Sequence, residues 1–163
     1  MLELRKLNES DIPLIETWLH KDHVKKWYEI PHMGVTLDDW MMEIKERDNQ
    51  FKWLHHFIVM YEGEAIGLCQ YYNCKDSDED FGDLAVEGSY GIDYLIGEES
   101  CVGKGVGKQM IRALIDKIFS LPDALRITAD IDERNKASEG VLRSCGFILF
   151  DPIQSRYIKE KSL

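Results

Sequence analysis

Three glycines at alternate positions, Gly103, Gly105 and Gly107, precede a long apolar-periodic stretch in the run YGIDYLIGEESCVGKGVGKQMIRALIDKIF, Tyr90 to Phe119. Glycine removes the Cβ from a turn and lets another group approach the backbone, while a helix starting there adds unpaired N–H donors and partial positive charge. With Lys104 and Lys108 interleaved, the segment suits an anion such as phosphate; a tight strand-to-helix turn without a ligand is the plainer alternative. Two nucleotide motifs fail on residue identity. A GxxxxGK[ST] loop needs glycine at 102 and a hydroxyl at 109, where Val102 and Gln109 stand, and a GxGxxG fingerprint needs glycine at 108, where Lys108 stands.

Carboxylates supply the second set of chemical groups. Asp93 lies in the strand-like GSYGIDYLIG just before the glycine turn, and simple alternation puts Asp93 and Leu95 on one face with Ile92 and Tyr94 on the other. Asp93 is either a functional acid or a structural carboxylate paired with a cation. Asp130 ends the next strand-like run. The stretch CKDSDEDFGD gathers Asp76, Asp78, Glu79, Asp80 and Asp83 in one turn-like segment, which reads as a solvated loop or as a rim that attracts a polycation. Trp27, Tyr28 and Glu29 set aromatic faces beside a carboxylate, a combination that holds a sugar ring with its ammonium or packs a core.

Metal chemistry finds little support. Cys69, Cys74, Cys101 and Cys145 form no CxxC pair, and His20 with His23 or His55 with His56 lack a third ligand at familiar spacing. The cysteines read as buried reduced thiols, and no metal is expected.

These residues must be positioned by a mixed set of elements. LELRKL alternates as a half-buried strand does, and NESDIPLIETWLHKDHVKKW opens with cap-forming residues and places Ile12, Ile15, Trp18, Leu19 and Val24 on roughly one helical face. TLDDWMMEIKE gives a second helix, with Thr36 and Asp39 in capping-box spacing. Strands over 53–61 and 65–73 read as a hairpin, GSYGIDYLIG as a further strand, and 107–119 as a helix. ALRITADI is a strand, NKASEGVLRSCG a short helix ended by Gly146, and FILFDPIQSRYIKE a final strand pair. Hairpins mixed with two crossover helices indicate an α+β fold, a mixed α/β sheet with helices on both faces, in a single domain over 1–163.

Composition bounds the partners. The chain has 163 residues, 44% hydrophobic and 31% charged, with thirty acidic against twenty basic residues for a formal charge of −10. Such a balance argues against nucleic acid and favours cations. The charged start and the lack of a run of eighteen apolar residues indicate a chain without a secretory signal or membrane span, expected in the cytoplasm.

The turn VGKGVGK after a central strand of a mixed sheet resembles that of the GNAT family of N-acetyltransferases. YGIDYLIGE, GKGVG, ADIDERNKASEGVLRSCGF and the early WLHKDHVKKWYE, in this order, resemble its aminoglycoside 6′-N-acetyltransferase branch. The resemblance implies the GNAT fold, a mostly antiparallel central sheet, with acetyl-CoA as cosubstrate and its pyrophosphate cradled by Val102, Gly103, Lys104, Gly105, Val106, Gly107 and Lys108. It further implies that a backbone N–H of Leu95 or Ile96 meets the thioester carbonyl oxygen and that Asp93 takes the place of the branch's base. Asp130 aligns with an aspartate that contacts antibiotic amino groups, and Trp27, Tyr28 and Glu29 are candidates for the acceptor. Asn135 aligns with an asparagine of the cofactor-binding half and is equally suited to cap a helix; Arg143 joins Lys104 and Lys108 as a candidate for the phosphates.

The chain also departs from the family. Leu142 stands where many members carry a tyrosine that protonates the thiolate, Val102 replaces a frequent Gln or Arg, and Tyr94 follows the aspartate where the branch has Gln. The implied activity is acetyl transfer to a primary amine of an aminoglycoside or similar polycationic small molecule. Alternatives are another amine, such as a peptide N-terminus, a polyamine or a siderophore, or a catalytically silent acyl-CoA-binding module.

Overall fold

Alternation in LELRK yields β1 (Leu2–Lys6), which pairs antiparallel with β2 (His55–Tyr61), from Leu2 opposite Tyr61 to Lys6 opposite Phe57, in a computed structural model that describes residues 1–162. β3 (Glu64–Asn73) follows β2 through a turn in which Glu62 and Gly63 take positive φ. β4 (Ser89–Ile96) runs parallel to β5 (Arg126–Asp130). β5 is antiparallel to β7 (Arg156–Glu160), and β7 to β6 (Ile148–Asp151). The seven strands follow the order β1-β2-β3-β4-β5-β7-β6. A parallel pair needs a long crossover, supplied between β4 and β5 by α4 (Val106–Phe119).

The first helical stretch differs from the single helix read in the sequence. It divides into α1 (Ile12–Leu19) and α2 (Asp22–Tyr28), because Lys21 is extended, at φ −73° and ψ 138°, and Asp22 opens a fresh first turn. The change of direction still buries the expected Ile15, Trp18, Leu19 and Val24. α3 (Leu37–Lys45) begins at the expected capping box: Thr36 accepts from the Asp39 amide at 3.2 Å and Asp39 from the Thr36 amide at 2.8 Å. α5 (Lys136–Ser144) ends at Gly146, whose φ of 92° lets the Phe147 amide donate to Leu142 O at 3.0 Å. β2 starts at His55 rather than Trp53, since residues 51–53 are in turns.

Although composition shows no break, the chain divides into two compact units, Met1–Gln70 with Tyr94–Val106, and Tyr71–Asp93 with the residues from Gly107 onward. In the first, Leu37, Met41 and Ile44 present one face of α3 to a cluster with Leu7, Ile15, Trp18, Leu19, Ile58, Leu68 and Leu95. In the second, α4 buries Met110, Ile111, Leu114 and Ile118, with Ile127, Ala129, Leu142 and Phe147 also inside. Cys74, Phe81, Leu84 and Ile158 form a separate cluster there, with Tyr72 and Val86 against it. The four thiols are unbridged, three buried and Cys101 half-buried. No helix among the described residues is long and apolar enough to cross a membrane.

Candidate functional site

The glycine turn has the conformation its composition suggests, with one refinement. Gly103 and Gly105 take φ of 79° and 77°, and a Cβ at either would meet no atom within 4 Å, so backbone conformation demands glycine while the surrounding space is open. Gly107 has no positive φ and lies inside the first turn of α4. Val106 is 1% exposed, so its side chain anchors the helix start and its backbone is what the turn can offer. The first turn of α4 holds no acidic residue, which leaves the positive end of the helix uncompensated in a chain of formal charge −10. Val102 and Lys104 are exposed, Lys108 is half-buried, and neither lysine forms an ion pair among the described residues.

The strand before this turn is fixed at its end. A Cβ on Gly97 would lie 2.0 Å from Trp18 Cγ, and one on Gly67 2.3 Å from Leu95 O, so two glycines admit a buried indole and a close backbone approach. The Gly97 and Glu98 amides both donate to Ile66 O, at 2.7 and 3.1 Å, and Trp18 Nε1 donates to Glu98. His23 Nε2 lies 3.0 Å from Ile96 O. Leu95 is buried and Ile96 half-buried.

Toward β5 the same strand loses its partner. The β4–β5 register runs Ser89–Arg126, Tyr90–Ile127 and Gly91–Thr128 and stops, although β4 continues to Ile96 and β5 to Asp130. Where the two part, Asp93 and Asp130 share with Glu79 a cavity of about 80 Å³, its remaining wall made by Tyr72, Phe81, Ile92 and Thr128. Neighbours Ile92 and Asp93 both line it, so the strict alternation expected along this strand does not separate them here. Gly91 makes room for Tyr72: a Cβ there would lie 2.3 Å from the ring's Cζ.

Arg156 ties three of these lining residues together. It stands opposite Asp130 in the β5–β7 register and is buried, its Nε and Nη2 donating to Asp130 Oδ1 and Oδ2 at 2.8 and 2.9 Å. Nη1 donates to Phe81 O at 2.8 Å, the guanidinium lies 5.2 Å from the Phe81 ring centroid, and Nη2 is 3.7 Å from Glu79 Oε2. Burial pushes the Glu79 carboxyl above its usual range, the negative charges of Asp130 and Asp93 push it further, and Arg156 opposes them. Tyr72 is likewise raised, by burial first and by Asp93 and Glu79 next, and so stays a protonated phenol. Glu79 comes from the acidic stretch singled out in the sequence; Tyr72 and Arg156 carry no local signal, since only strand register brings them here.

Other expected site residues have definite structural duties. Trp27, Tyr28 and Glu29 belong to the first unit, whereas Asp93 and Asp130 belong to the second. The Tyr28 hydroxyl donates to Tyr94 O, its ring meets Trp40 edge-on at 4.9 Å, and Trp40 Nε1 donates to Tyr28 O at 2.8 Å. Trp27 is half-buried under Lys26 Nζ, 5.1 Å from its centroid, and Glu29 faces Lys25 at 3.8 Å. Asn135 caps α5, its Oδ1 accepting from the Ser138 amide at 3.2 Å. Arg143 lies 5.3 Å from the Tyr157 centroid with Nε 3.4 Å from Glu139. Leu142 is fully buried, and its alkyl side chain offers no proton at that position. Among the described residues no His, Cys, Asp and Glu group forms a metal-binding cluster.

Residues 8–154 match the family model for the acetyltransferase (GNAT) domain. Aminoglycoside N(6′)-acetyltransferase type 1 of Klebsiella pneumoniae is 28% identical over 145 residues, covering 88% of this chain and 72% of that one. Spermine/spermidine N(1)-acetyltransferase of Bacillus subtilis (strain 168) is 32% identical over 89 residues, 55% of this chain and 56% of the relative. A solved structure of AAC(6′)-Ib in complex with paromomycin and acetyl-CoA superposes with a TM-score of 0.77 at 26% identity, over 98% of this chain and 93% of that one.

Proposed function

Because the chain belongs to the GNAT family of acetyltransferases, we propose that it moves the acetyl group of acetyl-CoA onto a primary amine of an aminoglycoside or similar polyamine. The observation that carries this reading is the acidic cavity where β4 and β5 part, with Asp93 in its wall. The relatives support the acceptor class: one is an aminoglycoside acetyltransferase and another a spermine/spermidine acetyltransferase.

In this reading the diphosphate of acetyl-CoA sits on the turn from Val102 to Lys108. Gly103 and Gly105 leave the approach open, α4 directs its first amides outward, and Lys104 and Lys108 add charge. Trp18, Gly97 and Ile66 hold the end of β4, so the Leu95 or Ile96 amide keeps a fixed direction toward the thioester oxygen. The amine nitrogen attacks the carbonyl carbon, the C–S bond breaks, and the proton lost by nitrogen is taken up by the thiolate.

Asp93 anchors the ammonium rather than stripping it directly. Carboxylate and alkylammonium reference values differ by about 6 units, a mismatch of about 8 kcal/mol. Proton removal therefore runs through a water and is eased in a polyamine, whose neighbouring ammonium groups lower one another's pKa. Leu142 has no proton to donate, which leaves thiolate protonation to the proton released by the amine, adequate for a thiol of pKa about 8.5.

The test is free-thiol release from acetyl-CoA with kanamycin, spermidine and a peptide N-terminus as acceptors. Release with the polycations above the peptide is expected. Tight acetyl-CoA binding with no release across the panel would replace this reading by a silent acyl-CoA-binding module.

A further inference from the structure

A buried cation, Arg156, grips the acidic wall of the acceptor cavity without lining it. Arg156 is 3% exposed, whereas the Asp130 side chain it grips is 39% exposed and lines the cavity. Both carboxylate oxygens of Asp130 receive guanidinium hydrogen bonds, at 2.8 and 2.9 Å, the two-point geometry in which arginine binds a carboxylate most firmly. Glu79 keeps a looser relation, 3.7 Å from Nη2 and 47% exposed. The guanidinium cannot swing away readily, because Nη1 is tied to Phe81 O at 2.8 Å and the Phe81 ring lies against it. Three carboxylates against one fixed guanidinium leave the cavity less acidic than its sequence suggests, and the carboxylate neutralised is the one at the end of β5.

We propose that Arg156 is a specificity-determining residue: by matching the charge of Asp130 it withdraws that carboxylate as an anchor, so an additional ammonium group on the acceptor gains little at the end of β5. The proposal rests on the reading of this cavity as the acceptor site. An ammonium arriving at Asp130 meets a carboxylate whose charge is already matched and whose best hydrogen-bonding directions are taken. Removing the guanidinium while keeping Asp130 hydrated at the cavity edge converts it into a third anchor.

The test is calorimetric binding of 1,4-diaminobutane and spermidine, with coenzyme A present so that no transfer occurs. Arg156→Gln is expected to shift the affinity ratio toward spermidine by about tenfold, the value of one charge-assisted hydrogen bond. Arg156→Lys, which keeps the charge, is expected to hold the ratio near that of the unmodified protein. Adding Asp130→Asn to Arg156→Gln should abolish the shift; a shift that survives in the double variant, or a folded Arg156→Gln protein with an unchanged ratio, overturns the proposal. If Arg156→Gln does not fold, Asp130→Asn alone decides: the unmatched guanidinium should weaken spermidine about tenfold more than the diamine, and equal losses overturn it. An unmodified protein that binds neither amine removes the acceptor reading as well, whereas binding with an unresponsive ratio removes only the role of Arg156.

Discussion

Replacing Gly105 by alanine separates the two reasons a glycine stands there. Its φ of 77° is left-handed, so any side chain is strained, yet a Cβ would meet no atom within 4 Å. Strain alone costs about 1–2 kcal/mol, or about 2–8 °C in Tm for a chain of this size. Gly63, in the β2–β3 turn, provides a matched control: its φ is 81° and its Cβ would also meet nothing within 4 Å. Gly63→Ala should therefore lose similar stability. If a coenzyme diphosphate rests on the open face of Gly105, only Gly105→Ala also loses a backbone-to-phosphate hydrogen bond. A bond to a charged group is worth about 1.5–3 kcal/mol, so coenzyme A affinity should fall about 10- to 100-fold. Thermal denaturation and calorimetric titration of both variants provide the two readings. Equal coenzyme A affinity in Gly63→Ala and Gly105→Ala would refute the assignment of the turn, whatever the melting temperatures.

Asp93→Asn should lower kcat by about a hundredfold or more, in line with losing a group that handles the amine proton, while coenzyme A affinity measured by titration holds; retained turnover would remove Asp93 from the mechanism. Gly97→Ala should destabilise by about 3 kcal/mol, because the new methyl would lie 2.0 Å from a fully buried indole carbon, and urea unfolding checks it. His56 is 6% exposed and held down to about 4 by burial first and by the charges of Arg47 and His55 next. The unfolded chain takes up that proton near pH 6.5 and the folded chain only near 4, so stability should fall as pH drops across this window, by about 3 kcal/mol. His56→Gln should flatten that slope in urea midpoints measured from pH 7 to 4, and an unchanged slope would assign the acid sensitivity elsewhere.

Local signals were legible where the physics is local. The Thr36–Asp39 cap, the Gly146 stop, the glycine turn and the acidic stretch all depend on residues within a few positions of one another. The break at Lys21 was hidden because Ile15, Trp18, Leu19 and Val24 keep an apolar face across it, and periodicity does not record a change of direction. Gly107 shares its neighbours' identity but not their φ, and composition does not distinguish them. Asp93 and Asp130 could be named from the chain, yet their meeting place depends on where the β4–β5 ladder ends, and Arg156 enters only through its register with Asp130. Asn135 illustrates the reverse case: both of its readings were visible, and the structure places its oxygen on a helix amide.

The early end of the β4–β5 ladder has a dynamic consequence. A strand released from one neighbour while still part of a sheet exchanges its outward amide hydrogens with solvent more readily than those still laddered. A guest lying along that released side would act as a temporary extra strand and slow the exchange from Ile92 to Ile96, so occupancy would be written into the protection of the backbone itself.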